Sequence, residues 1–497
     1  MQVIRAWAEG HAAAELRAAV GAGADDVARI VPDRVLEEVE APPEMDPAAA
    51  TFRLLDSVTR FLKSAAAEQP LVVLLDDLHA ADPSSLALLD FLVREMSEAR
   101  LLVVGTYRDV EVGPEHPLSR VLADVLHRPI TRRLALRGLA PEEVRALVES
   151  VAGVAPSNAA LIALSRQTDG NPFFVGEIVR LLLSEDSTAR LTTERPGTLV
   201  VPVGVRSVIG RRLDALPAGS RDLLAVAAVL GRSFAVPPLA RAAGHGSEDV
   251  LALLEPALSA RLVSEIPETL LEFRFAHALI RDVLYVGLPL TRRLALHRAV
   301  GEALEAIHGL DTEPVAAELA YHFGCAAAAG VADKAVAYAC RAAERAISRL
   351  AFGEAVHHYQ RALEVQALQG EPAERQRCEL LVALAGAQHD AGEAREAAAT
   401  SEQAGALARS LGDPQLVLRA ALASGSWWDT SAPFAEAKLL EEALADTRGE
   451  SSLRALGLAR FGASLHWRAS GHAARRWSTR PWRWPSVSTS RRRSSAA

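Results

Sequence analysis

Leu71-Val72-Val73-Leu74-Leu75-Asp76-Asp77 is the stretch whose reading decides the fold. Five consecutive apolar residues ending in two aspartates predict a buried strand with carboxylates at its C-terminal edge. In open α/β sheets that edge is where ligands sit. Two adjacent carboxylates repel each other, and a bound cation would relieve the repulsion. Asp76 is therefore the candidate Mg²⁺ holder, through water, and Asp77 the candidate that polarises an attacking water. The bland alternative is a polar strand end that begins a turn.

The surroundings repeat the pattern. A helix is predicted from about Thr51 to Ala67, with Phe52, Leu55, Val58, Phe61 and Leu62 along one face and Pro70 after its end. Asp82 is a predicted N-cap with Pro83 at the first helical position. A second apolar run, Leu101 to Thr106, ends in Tyr107-Arg108-Asp109, so Arg108 could reach the same sheet edge. A helix over about Leu118–Leu126 and a third strand near Leu134-Ala135-Leu136 complete a β-α-β-α-β rhythm, which predicts a parallel sheet covered by helices.

From Pro141 the chain reads as mostly helical. Asp169-Gly170-Asn171-Pro172 breaks the helices and Phe173-Phe174 opens another. Such a turn can present a flat proline face to a base, or can simply be a helix breaker. Residues 187–201 read as a polar linker. Leu262-Val263 and Leu271 to Phe275 can pair as a hairpin within a helical unit, and His277 follows at a helix start. There it could contact a diphosphate, or be a satisfied histidine at a domain seam. Beyond Glu313, Gly353-Glu354-Ala355 recurs as Gly392-Glu393-Ala394 and loosely as Ala435-Glu436-Ala437. Each is followed by an Ala-Leu pair: Ala362-Leu363, Ala406-Leu407 and Ala443-Leu444. A period of about 40 residues predicts a tetratricopeptide-like solenoid, against the alternative of an irregular alanine-rich bundle. His472 to Ala497 holds seven arginines and three tryptophans with no acidic residue. It reads as a disordered or out-of-frame tail, with nucleic-acid binding as the alternative.

Composition narrows the function classes. In 497 residues, half are hydrophobic and only 5% aromatic, which favours small-residue helix packing. A net charge of −8 argues against non-specific DNA binding by the whole chain. Cys325, Cys340 and Cys378 offer no disulfide framework and no metal-ligand spacing, so a reduced, cytoplasmic setting is expected. No apolar run is long enough to span a membrane. No Gly-x-Ser-x-Gly elbow points to a hydrolase triad. The three lysines, Lys63, Lys334 and Lys438, do not follow glycines, so the phosphate loop G-x-x-x-x-G-K-[ST] is absent.

The order of motifs is specific. Leu-Leu-Asp-Asp-Leu-His-x-Ala-Asp at Leu74–Asp82 is followed by Gly-Thr-Tyr-Arg-Asp at Gly105–Asp109 and Gly-Asn-Pro-Phe-Phe at Gly170–Phe174. Val-Ile-Gly-Arg-Arg-Leu at Val208–Leu213 and Phe-Ala-His-Ala-Leu-Ile-Arg-Asp at Phe275–Asp282 complete it. Over about residues 45–450 the chain resembles the bacterial AAA-type ATPases of the STAND class, found in LuxR-type transcription factors and fused to some adenylate or guanylate cyclases. The resemblance implies a P-loop NTPase remnant of α/β parallel-sheet class, followed by mostly α structure. Its expected parts are a partial nucleotide-binding domain over 1–140, a helical lid over 141–200, a winged helix over 201–312, helical repeats over 313–460 and the tail over 461–497. It implies ATP/ADP and Mg²⁺ as cofactors. Asp76 and Asp77 take the Walker B positions and Arg108 the sensor position. Gly170 and Pro172, with Asn171 between them, take the adenine side of the lid, and His277 takes the position that favours the ADP state. It further implies a regulator that moves between closed and open forms, with self-association and with a protein or small-molecule inducer on the repeats. The missing Walker A loop reads as an N-terminal truncation, and the missing output domain goes with an out-of-frame C-terminus. They leave a nucleotide-independent interaction scaffold as the rival, and a DNA-binding regulator as the weaker one.

Overall fold

The computed structural model describes residues 46–184, 187–193, 205–267, 269–369, 373–423, 440–445 and 451–467, together with Ile4, Gly23, Asp26 and Val27. The third Gly-Glu-Ala-like segment (Ala435–Ala437), the region around Ala41–Pro43, the linker beyond residue 193 and the basic tail lie outside the described residues.

The first layer follows from its caps. Helix α1 (Pro47–Glu68) begins four residues earlier than its apolar pattern, because the Asp46 side chain accepts the Ala49 N–H and Pro47 fits the first turn. It buries Leu54, Val58, Phe61 and Leu62. Phe52, predicted for that face, is instead exposed, its ring edge-on to Phe91. Strand β1 (Leu71–Leu75), helix α2 (Pro83–Glu95), strand β2 (Leu101–Gly105) and helix α3 (Pro117–Leu126) follow. β1 and β2 pair in parallel, Leu71 opposite Leu101 through Leu75 opposite Gly105. Val73 and Leu101 join α1 in one core with Ile4 and Val27. The opposite face carries Val72 and Leu74, 63% and 66% exposed.

The predicted third strand is a correction. Among the described residues this sheet has two strands, and residues 131–140 form neither helix nor strand. Leu134 and Leu136 are 82% and 95% exposed. A short apolar run between Arg133 and Arg137 acquires strand structure only from a hydrogen-bonding neighbour, and among the described residues no strand pairs with it.

Helices α4 (Pro141–Ala152), α5 (Asn158–Thr168), α6 (Pro172–Ser184) and the short α7 (Ala189–Thr192) enclose their own core of Val144, Val148, Leu164, Val175 and Val179. α8 (Val205–Asp214) and α9 (Ala218–Leu230) lead to β3 (Ser233–Ala235), α10 (Val236–Ala243), α11 (Ser247–Ser259), β4 (Val263–Glu265) and β5 (Glu272–Phe275). The expected hairpin is present as β4 antiparallel to β5, but β3 also pairs with β5, giving the order β3-β5-β4. β3 was not anticipated, since Ser-Phe-Ala is too short to show an alternation. α12 (Ala278–Gly287) and α13 (Leu290–His308) follow.

Antiparallel helices then stack: α14 (Ala316–Cys325), α15 (Ala332–Ser348), α16 (Phe352–Ala367), α17 (Glu374–Asp390), α18 (Ala394–Ser410) and α19 (Pro414–Ala423), with α20 (Ser452–Trp467) packed on α19. Small residues at the crossings, such as Ala339, Ala343, Ala355 and Ala362, allow the close approach. The repeat register is set by the turns rather than by Gly-Glu-Ala. Leu350 and Gly392, 42 positions apart, both take the left-handed conformation after a helix end, with φ of 59° and 80°. The next N–H in each case returns to the helix, Ala351 to Ala346 O and Glu393 to Gln388 O. Gly353 thus lies inside α16, whereas Gly392 lies before α18. Leu350 also packs against the core of the first layer, and the Gly353 backbone approaches Pro83, so the first repeat rests on α2.

Candidate functional site

β1 ends at Leu75, and the next two residues are shaped by Thr106 at the end of β2. The Thr106 N–H donates to Leu75 O (2.9 Å), and its carbonyl accepts from Leu78 N–H (2.8 Å). Its hydroxyl accepts the Asp77 N–H (3.0 Å) and donates to Asp76 Oδ1. Asp77 is held at φ 54°, ψ 48°, a left-handed conformation uncommon for non-glycine residues but tolerated by aspartate better than by most. Thr106 was not singled out from the sequence, although it stands in the Gly105–Asp109 motif. Its role depends on two strands ending in register, which a linear pattern does not show.

Around this clamp the charges are paired. Arg108 Nη1 donates to Glu111 Oε1 (2.7 Å), a bond that holds the guanidinium's pKa above its ordinary value. His79 Nε2 lies 3.2 Å from Glu111 Oε2 and 3.9 Å from Asp77 Oδ1. Asp77 also faces Arg232, which sits between α9 and β3 at 3.3 Å. The carboxylates thus already hold a cationic group, so the donor set fits a cation. No cluster of three or more metal-ligating side chains occurs among the described residues, so a cation held here would take most of its ligands from water and phosphate oxygens.

The lid turn is built by backbone requirements. Gly170 has φ 69°, and a side chain there would meet Leu139 O at 2.3 Å. Its carbonyl accepts from the Leu139 N–H (2.8 Å), fastening the segment before α4 to the turn. The Asn171 side chain accepts from Phe173 N–H (3.0 Å), so it caps α6, and Pro172 is exposed at the first helical position. The phenyl ring of Phe173 stacks on the imidazole of His277, centroids 3.5 Å apart and planes at 17°. His277 caps α12 by accepting the Leu279 N–H at Nδ1 (3.2 Å). The neutral ring therefore carries its proton on Nε2, leaving one donor for the seam. Burial lowers the His277 pKa, and Arg232 and Arg108 lower it further.

Asp76, Asp77, Arg108 and His277 are therefore brought to one seam, with Arg232 and Phe173 as members the sequence did not announce. Gly170 and Asn171 shape the lid turn beside it. Beneath the seam Glu177 of α6, 2% exposed, pairs with Arg180 (2.8 Å) and with the buried Arg212. Arg212 also donates to Ala260 O after α11. This gives the Val208–Leu213 motif a physical role: it fastens α8 to α6 and to the small sheet's unit.

Comparison with known proteins bears on this layout. Residues 2–104 match the family model of the AAA ATPase domain. Domains of that family use nucleotide and Mg²⁺ generally. An uncharacterized protein of Rhizobium meliloti is 27% identical over 352 residues, covering 68% of this chain and 32% of that protein. The chain thus spans about a third of the length of this curated relative. A STAND protein with a tetratricopeptide repeat sensor from Pyrococcus horikoshii aligns with 90% of this chain and 70% of its own, at 12% identity and a TM-score of 0.38. The match to the AAA ATPase domain ends at the last residues of β2, so it takes in Asp76 and Asp77 and stops short of Thr106 and Arg108.

Proposed function

We propose that this chain is a nucleotide-controlled signalling switch of the STAND ATPase type, whose helical repeats receive a protein or small-molecule inducer. The observation that carries the reading is convergence. Groups from the sheet edge (Asp76, Asp77, Arg108), the lid (Phe173) and the small-sheet unit (His277) meet at one seam, although their positions span Asp76 to His277 in the chain. In this reading the small three-stranded sheet with its helices is the winged-helix domain, and α14–α19 form the tetratricopeptide-like sensor.

Each residue has a role that its position allows. Asp76, fixed by Thr106, would hold Mg²⁺ through water, and Asp77 would orient the attacking water. Arg108 would exchange Glu111 for a terminal phosphate. His277 would donate from Nε2 to a diphosphate oxygen, and Pro172 would lie against the adenine. Bound Mg²⁺ would supply charge neutralisation for the phosphates. Without the backbone amides and lysine of a phosphate loop, several charge-assisted hydrogen bonds of about 1.5–3 kcal/mol each are missing, so affinity is expected to be weak.

The test is titration of the purified chain with labelled ATP and ADP in Mg²⁺, repeated with Asp76→Ala and His277→Ala. Binding that weakens in both variants supports the switch. Absence of binding up to millimolar nucleotide would favour the nucleotide-independent scaffold, and attention would move to partners of the repeats.

A further inference from the structure

The carboxylates at the end of β1 are not waiting for a cation; they already have one. Arg232 Nη1 lies 3.3 Å from Asp77 Oδ2 and 3.9 Å from Asp76 Oδ2. The remaining oxygens are also engaged: Asp76 Oδ1 accepts from Thr106, and Asp77 Oδ1 faces His79. Arg232 comes from 155 residues further along the chain. Its carbonyl accepts the Phe275 N–H (3.0 Å), so its backbone is fixed to the end of β5, two residues before His277. A side chain anchored on the small sheet thus closes on the edge of the parallel sheet. The same seam holds a second internal pair, Arg108 with Glu111.

We propose that Arg232 is an internal substitute for the divalent cation. With no cation bound it bridges Asp76 and Asp77 and holds the small-sheet unit against the parallel sheet. A divalent cation at the same carboxylates and the guanidinium repel each other, so loading of the site expels Arg232 and releases the seam. Glu111 acts in parallel at Arg108, occupying it with a carboxylate until an anionic ligand replaces it. Both pairs are partly exposed, so the latch is weak and salt-sensitive, as a reversible device requires. The inference rests on the nucleotide-site reading and adds its regulation.

The experiment uses the full chain without nucleotide, as wild type, Arg232→Ala, Arg232→Lys and Asp76→Asn/Asp77→Asn. Mn²⁺ binding is read by electron paramagnetic resonance, and the seam by hydrogen exchange of the Phe275 region. Arg232→Ala is expected to bind Mn²⁺ about two- to fivefold tighter than wild type, because nothing has to be displaced. Its seam should exchange fast with or without Mn²⁺, whereas the wild-type seam should speed up only when Mn²⁺ is added. Arg232→Lys should stay near wild type. Equal Mn²⁺ affinity in wild type and Arg232→Ala, with loss of binding in the Asp variant, would overturn the latch and leave the cation site standing. Mn²⁺ binding that ignores the Asp variant would remove the site itself, and the latch with it.

Discussion

Glu177 is a carboxylate with almost no access to water, and its charge is balanced by Arg180 on its own helix and by Arg212 on α8. Arg212 is 6% exposed and also satisfies Ala260 O, so one side chain joins three elements. Replacing Arg212 by alanine would leave Glu177 buried with only the partly exposed Arg180, and Ala260 O would lose its Arg212 donor. Removing one partner of a buried pair costs about 3–5 kcal/mol. That is a fifth or more of a typical domain's stability of about 5–15 kcal/mol. Unfolding of so many packed units is not a two-state event, so the assay is local: hydrogen exchange over residues 172–183 and 205–214. Arg212→Ala and Glu177→Ala should each accelerate exchange there by at least a hundredfold, since 1.4 kcal/mol is a factor of ten, while α17 and α18 stay unchanged. The double variant Glu177→Met/Arg212→Met should recover most of the loss, because an apolar pair leaves no stranded charge. Single variants that exchange within threefold of wild type would refute the argument. So would a double variant that is the sum of the singles, because it would mean that the two side chains are not coupled.

Other features lead to separate expectations. His297 and His322, both buried, share an Nδ1–Nδ1 hydrogen bond of 3.0 Å, and burial pushes their pKa values down to about 4 and about 3. Folding depends on both being neutral. Stability is therefore complete above the unfolded value near 6.5 and is lost as pH falls from there toward 3, by about 3 kcal/mol for each ring at pH 4. Hydrogen exchange over residues 290–325, corrected for its intrinsic pH dependence, should show the slope, and His297→Gln should flatten it. Gly170→Ala should cost about 2–3 kcal/mol, from the positive φ and from displacement of Leu139, read as faster exchange at residues 138–140; unchanged exchange would sink the close-approach argument.

What was legible in the sequence was local chemistry. Asp82-Pro83 and Pro141 carried helix starts in their capping preferences, and Leu71–Leu75 and Leu101–Gly105 carried strands in their apolar runs. The 169–172 breaker was readable because glycine and proline restrict the backbone by themselves. What was not legible depended on neighbours far along the chain. Leu134–Leu136 has the composition of a strand but lacks an edge to pair with. Ser233–Ala235 has no pattern yet becomes a strand because β5 offers it one. The Gly-Glu-Ala recurrence gave the repeat length but misplaced the register by three residues. The backbone equivalence falls on Leu350 and Gly392, one of which is not glycine. Leu350 shows why. A leucine in a left-handed turn is disfavoured where glycine would fit, and here its side chain reaches the core of the first layer. The position trades local backbone comfort for a contact between the repeats and the sheet, next to α2, whose first turn follows directly from the Asp76–Asp82 loop. Glu354, one turn further, is buried enough that its carboxyl pKa rises, and the nearby Asp82 raises it again. The repeats therefore touch the element that begins where the candidate cation site ends. In the proposed reading, an inducer that shifts α16 would act on Asp82 and α2, one short route from the repeats to the candidate site beside the Leu350 contact.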